Sequence, residues 1–334
     1  MFKFNKKQEE CCFLFSFLML LLFSGLRYDV GMDYSAYEEL YHESLNKLNP
    51  EIKEFGWGYF FYWFRNMGVP FSVVIFLISL FTLSTAFVFI KRYSPYPFLS
   101  ILIFFCFSQY YTYTFNVMRQ CLSGYIFLVS LGYIQRRCLA KYMILIGFTT
   151  FFVHTSAIIL FPLYFLLYRS YALYLKIGLI VIVLFLAKFL IILIASSETY
   201  RIYLALERYA AEVSVTSYLL IIISSFILIL EASIKNKTCQ DQILLNISYL
   251  ALLFLFVVCF FSGTPLVLVF LRLALYFTPV LIVLLPLLIK RIFSFRSRYV
   301  IVSVTVMVYM SVFCYSLVTG GEKNKLIPYK TIFI

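Results

Sequence analysis

Ten apolar stretches, most close to the 20 or so residues that cross a hydrocarbon core, are strung along 334 residues with little polar chain between them. They fall at 11–26, 71–90, 96–115, 117–134, 142–168, 175–194, 216–234, 242–262, 265–289 and 299–318. The runs are continuous rather than alternating with period two, so they read as helices and not as the strands of a membrane barrel. With 63% apolar and only 13% charged residues, a soluble domain of this length has too little interior to hide its apolar side chains. The expected fold is all-α, a polytopic integral membrane protein treated as a single membrane domain over 1–334. Soluble enzymes, disordered chains and disulfide scaffolds are excluded. The eight cysteines sit in or beside apolar runs and form no CxxC pair, which removes a disulfide framework or a zinc site.

Charge fixes the expected direction of the spans. The N-terminus carries Lys3, Lys6 and Lys7 ahead of the first apolar stretch, which lacks a small-x-small cleavage site and reads as an uncleaved first helix. Placing this end in the cytoplasm puts Lys91/Arg92, Arg136/Arg137/Lys141, Lys235/Lys237 and Lys290/Arg291/Arg296/Arg298 on the same side only if 142–168 crosses an even number of times. That stretch is therefore expected to be two short helices turning near His154-Thr155-Ser156, for about 10–11 membrane segments in all. The cytoplasmic loops then hold sixteen basic and four acidic residues, while most acids lie outside. The net charge of +13 is thus a record of topology and not of a nucleic-acid partner. Two extracytoplasmic loops are sizeable, 27–70 and 196–215.

Ionisable residues within a bilayer are expensive, so each marks a possible site. Arg119, His154, Lys188 and Arg272 all fall in the outer half of this layout, with Arg27, Arg201 and Arg208 in the outside loops. The structural reading of each is plain: Lys188 snorkels, Arg272 pairs, His154 caps a break, Arg119 anchors at head groups. Their shared depth is the more informative fact. Several cations at one boundary suit a polyanionic lipid head group, and the planar fork of arginine binds two phosphate oxygens at once. The first loop adds Asp33, Tyr34, Tyr37, Glu54, Trp57 and Tyr59, an aromatic-rich set that reads either as an interfacial belt or as a platform for sugar faces. The acids of 38–54 read most simply as a solvated face. No P-loop, GxSxG, HExxH or DxD-type motif is present.

Four elements occur in order: Arg27-x3-Gly31-x-Asp33-Tyr34-x2-Tyr37; Glu54-x-Gly56-x-Gly58-Tyr59; Phe115-Asn116-x2-Arg119-Gln120; and Phe152-x-His154-Thr155-Ser156-Ala157 followed by Pro162. The set resembles the EpsG/Wzy-like family of bacterial O-antigen and capsular polysaccharide polymerases, well over 11–168 and in hydropathy beyond. The resemblance implies a GT-C-like membrane glycosyltransferase in the bacterial inner membrane. It would move a growing glycan from undecaprenyl pyrophosphate to a lipid-linked repeat unit at the outer face, with no metal and no cofactor. A chain-length regulator would be a protein partner. Under that reading Arg119, Arg272, Arg27 and Arg208 meet the pyrophosphate, and His154 and Asp33 are candidate bases for the acceptor hydroxyl. Cations around a histidine favour its neutral, proton-accepting form. Gln120, Tyr34, Tyr37, Glu54, Trp57 and Tyr59 bind or position glycan. Direct attack would invert the anomeric centre. A lipid-linked oligosaccharide flippase, a membrane O-acyltransferase and the ligase that moves finished glycan to lipid A are the competing classes.

Overall fold

Long apolar helices dominate the computed structural model, which describes residues 5–49, 52, 54–195 and 212–333. Among the described residues six helices are long and apolar enough to cross a membrane, at Lys6–Gly25, Phe71–Tyr93, Val215–Ser233, Cys239–Phe260, Leu266–Ile292 and Phe295–Gly320. The first and last of these leave most of their apolar side chains uncovered, an arrangement that water would not tolerate and lipid does. The chain is a multi-pass, all-helical membrane protein. It falls into two compact units, one of Met1–Gly132, Leu139–Phe161 and Ile282–Ile334, the other of Tyr133–Cys138 and Pro162–Leu281.

In the first unit, α1 (Lys6–Gly25) opens with a capping box between Asn5 and Gln8. It lies along α4 (Phe71–Tyr93), where Ser24 donates to Ser79 at 2.9 Å and Phe13 and Phe17 set their edges on Phe87. The loop between α1 and α4 carries α2 (Tyr34–Glu43) and α3 (Phe55–Asn66). It is a packed cap and not a solvated excursion. Tyr34, Tyr37, Tyr41, Trp57 and Phe61 form a buried cluster with the start of α4, with Met118 and Leu122, and with Val153. The apolar stretch at 96–115 is not one span: α5 (Pro97–Cys106) stops early and a short 3-10 turn at Thr112–Phe115 leads into α6 (Met118–Gln135). The exposed helix that closes this unit, α14, spans Phe295–Gly320.

The stretch at 142–168 folds back on itself, as its flanking charges require. α7 (Leu139–Phe148) passes into a π-turn at Thr149–Val153, breaks at His154 in an extended conformation (φ −158°, ψ 121°), and resumes as a 3-10 helix at Thr155–Leu160. Tyr142 reaches across and donates to the Leu160 carbonyl at 2.6 Å, tying the two arms.

In the second unit, after the short α8 (Leu163–Leu166), α9 (Leu173–Ala195), α10 (Val215–Leu230) and α12 (Leu266–Ala274) pack around the largely buried α11 (Cys239–Phe260). Arg137 lies 3.4 Å over the Tyr168 ring there, so the residues before α7 and after α8 come together. The stretch at 265–289 is also interrupted. A 3-10 turn at Thr278–Val280 around Pro279 separates α12 from α13 (Leu281–Ile292), because proline cannot donate to the preceding turn.

Candidate functional site

The site starts from a helix cap that does not cap. Glu54 precedes α3 in the N-cap position, where a carboxylate ordinarily takes the helix's own free amides. It makes no such bond. Its oxygens reach instead to two distant elements. Oε2 accepts from Arg119 Nη1 at 2.5 Å, in the first turn of α6, and Oε1 meets His154 Nδ1 at 2.8 Å, at the break in the folded-back pair. The Thr155 amide also points to Oε1, at 3.5 Å. Arg119 lies over the Tyr37 ring at 5.6 Å and its Nε donates to the Tyr37 hydroxyl at 3.4 Å. Asp33 lies close enough to act electrostatically on both Tyr37 and Arg119.

Glycine makes the approach possible. A Cβ on Gly56 would lie 2.6 Å from the Phe152 Cα, so only glycine lets α3 press onto the π-turn that ends at His154. The last bond of that turn, from the His154 amide to the Thr149 carbonyl at 2.9 Å, fixes where the imidazole leaves the backbone. Gly31 serves the other side. At φ +101°, its Cα sits against the Asn116 side chain, which accepts from the Met32 amide at 2.7 Å and so ties the first loop to the head of α6.

Electrostatics assign the protons. Burial pushes the Glu54 carboxyl up, but the His154 hydrogen bond and the Arg119 charge outweigh it and hold the group at about 2. An ionised carboxylate only accepts, so the hydrogen of this contact is carried by His154 Nδ1, which leaves Nε2 as the ring's other nitrogen. Glu54 is 4% exposed, whereas Arg119 and His154 are 23% and 22% exposed, so both partners reach the surface in part while their anchor does not. The arrangement can take a proton at His154 and bind an anion at Arg119.

These contacts join all four of the motif elements read from the sequence. A family model described as the EpsG family matches residues 10–331. The chain belongs to the EpsG family. EpsG is a family of Wzy-like polymerases. No curated protein and no solved structure matches the chain.

The other expected site residues of this EpsG-family chain are placed differently. Arg27 is 1% exposed and, among the described residues, bonds neutral acceptors: the Ser24 carbonyl at 2.5 Å, the hydroxyls of Ser24 and Ser79, and Met118 Sδ, with Phe115 under its plane at 4.7 Å. Burial draws its guanidinium down to about 10, still charged at neutral pH. It braces the interior rather than facing a ligand. Tyr34, Trp57 and Gln120 are buried, so none offers a face to a sugar. Tyr37 is buried beneath Arg119. Tyr59 is exposed, and with Phe55 and Trp63 it makes an uncovered aromatic stripe at four-residue spacing along α3, Phe55 and Tyr59 having ring centres 4.4 Å apart. Phe55 and Trp63 belong to the same aromatic-rich end of the first loop as Trp57 and Tyr59, and the helix turns them outward where it turns Trp57 inward. Arg272 is exposed on the last turn of α12, in the second unit. Arg208, the rest of 196–211 and the Lys188 side chain lie outside the described residues.

Proposed function

We propose that this EpsG-family chain is a membrane glycosyltransferase that extends a polysaccharide at the outer face of the bacterial inner membrane. The donor is a growing glycan on undecaprenyl pyrophosphate and the acceptor is a single repeat unit on the same lipid. The observation that carries this reading is the Glu54 carboxylate gripping Arg119 and His154, a partly exposed cation and a partly exposed base held by one buried anchor.

The chemistry follows from those roles. The acceptor hydroxyl gives its proton to His154 Nε2 while its oxygen bonds to the anomeric carbon of the donor. The bond from that carbon to the pyrophosphate oxygen breaks, and the electron pair leaves with the lipid pyrophosphate. Arg119 meets the charge that develops there, a use for which a fixed guanidinium needs no metal or nucleotide. Glu54 keeps the imidazole oriented and its Nδ1 protonated, a positioning role in place of glycan binding. Asp33 supports Arg119 rather than competing with His154 for the proton. A single displacement inverts the anomeric configuration. The aromatic stripe of Phe55, Tyr59 and Trp63 offers ring faces to sugar C–H groups beside the anchor.

Cells lacking the protein test the assignment. Single repeat units capped on lipid A, restored to long chains by the wild-type protein but not by Arg119→Ala or His154→Gln at equal abundance, are expected. A null strain without any transferred units would identify a flippase. Unshortened chains in the null strain would sink the polymerase reading.

A further inference from the structure

The segment after α14 returns to the loop that carries the site. Residues 27 and 331 pair as an isolated antiparallel bridge, flanked by the Tyr28 amide donating to the Lys330 carbonyl and the Ile332 amide donating to the Leu26 carbonyl, both at 3.0 Å. Further back, the Lys325 carbonyl accepts from the Gly31 amide at 3.0 Å, and Lys325 Nζ lies 3.6 Å from Asp29 Oδ1. Tyr329 alone of residues 327–330 turns substantially inward. Its ring lies 4.5 Å from that of Phe23, and its hydroxyl donates to the Phe23 carbonyl. Three main-chain bonds, an ion pair and a ring contact are more than a loose end requires, since each ordered residue costs about 1–2 kcal/mol of backbone entropy.

What the segment holds is informative. The residues it grips, Leu26 to Gly31, end at the glycine packed on Asn116. Asn116 fixes Met32 and stands three residues before Arg119. The path from Lys325 through Gly31, Met32 and Asn116 thus reaches the Arg119 side of the cluster. Among the described residues, none of these bonds runs to Glu54 or His154.

We infer that residues 325–332 are a positioning strap, anchored by Tyr329 and Lys325, that sets the start of α6 and hence the reach of Arg119 toward an anionic, phosphate-bearing lipid substrate. The inference rests on the reading of Arg119 as the pyrophosphate contact. Because the strap bears on the cation and not on the base, loosening it weakens both the hold on the pyrophosphate and the stabilisation of the charge that develops there, and leaves the proton-accepting group unchanged.

The test uses the full chain in membranes, with Tyr329→Ala to remove ring and hydroxyl, Tyr329→Phe to keep the ring, and Ile332→Pro to delete one main-chain donor. For polymerisation from the lipid-linked repeat unit, Tyr329→Ala and Ile332→Pro are expected to lower kcat/KM roughly fivefold with its pH profile unchanged, and Tyr329→Phe to recover most of the loss. Hydrogen exchange on the purified chain gives a readout free of activity: peptides covering 28–37 and 115–122 should exchange roughly tenfold faster in Tyr329→Ala, with Cys239–Phe260 unaffected. Wild-type exchange at 115–122 in both variants would overturn the strap. So would a change in the pH profile of kcat/KM, which would place the effect on the base. If wild-type membranes form no polymer, the polymerase reading fails by itself, and exchange at 115–122 still decides whether the strap holds the head of α6.

Discussion

Two carboxylates in this chain, Glu54 and Glu231, each grip two nitrogen-bearing side chains with one oxygen apiece. Glu231 takes Lys176 at 2.5 Å and Lys237 at 3.2 Å, and Glu54 takes Arg119 at 2.5 Å and His154 at 2.8 Å. Around Glu231 the partner that matters is sealed: Lys176 is 2% exposed, with its Nζ near the Tyr249 ring and its carbonyl bonded by the Tyr249 hydroxyl. That cluster latches the start of α9 to the link between α10 and α11. Around Glu54 the carboxylate is sealed and its partners emerge. Lysine is a point charge used here as a bolt, whereas the guanidinium fork and the imidazole have further nitrogens that the proposed function gives to a ligand. The same electrostatic device serves as a latch or as a site according to which member is left open.

Two substitutions separate these uses. Glu54→Gln keeps shape and burial but removes the charge that aligns Arg119 and fixes the His154 proton. The rate of polymer formation in membranes is expected to fall about 10²-fold or more, with the protein still present and folded. Glu231→Gln leaves Lys176 buried without its counter-charge, at a cost of about 3 kcal/mol. The expected result is a lower Tm of the purified chain, with the rate per folded molecule retained. The double change Lys176→Met with Glu231→Leu should recover most of that stability. A large activity loss at constant Tm for Glu231→Gln would break the distinction.

Part of this was legible in the sequence. The ten apolar runs and the side on which basic residues collect were enough to demand that 142–168 fold back, and His154 does sit at its break. Arg119 and His154 stood out because charge in an apolar run is conspicuous. Glu54 was expected to bind or position glycan, but its grip on both of them was not legible, since an acid at the end of an acidic loop looks like solvated surface and only tertiary contacts 65 and 100 residues away show it. Tyr34 and Trp57 looked like a sugar platform for the same reason in reverse. Aromatic rings in a loop read as exposed until the loop is seen to pack as a cap on α4 and α6. The interruptions at 106 and 279 were hidden because hydropathy continues through them.

A pair of glycines tests how closely the Glu54 cluster depends on backbone approach. Gly56→Ala puts a Cβ 2.6 Å from the Phe152 Cα, on the turn that carries His154. Phe152 must move, and a shift of His154 away from Glu54 by a fraction of an ångström is expected to cost roughly tenfold in rate. Gly58→Ala meets nothing nearer than Ile52 at 3.8 Å. It should leave the rate within about twofold and stabilise α3 slightly, since alanine is the better helix former. Equal effects at the two positions would mean that the contact with Phe152 does not set the site.

The smallest effect is the one that reads the anchor directly. The Glu54 carboxyl is held at about 2, below its value in an unfolded chain, so its contacts stabilise the folded state fully above the ordinary carboxylate range and less as pH falls toward 2. Across pH 5–8 its charge is constant, and any titration of activity in that window belongs to another group. Between pH 5 and pH 3.5 the wild-type chain should lose about 1 kcal/mol that Glu54→Gln does not lose. Thermal unfolding of the two proteins across that range would therefore show their Tm values converging as pH drops. Parallel curves would mean that the carboxylate is not charged against Arg119 and His154 in the folded protein, and the contrast with the sealed latch at Glu231 would lose its electrostatic basis.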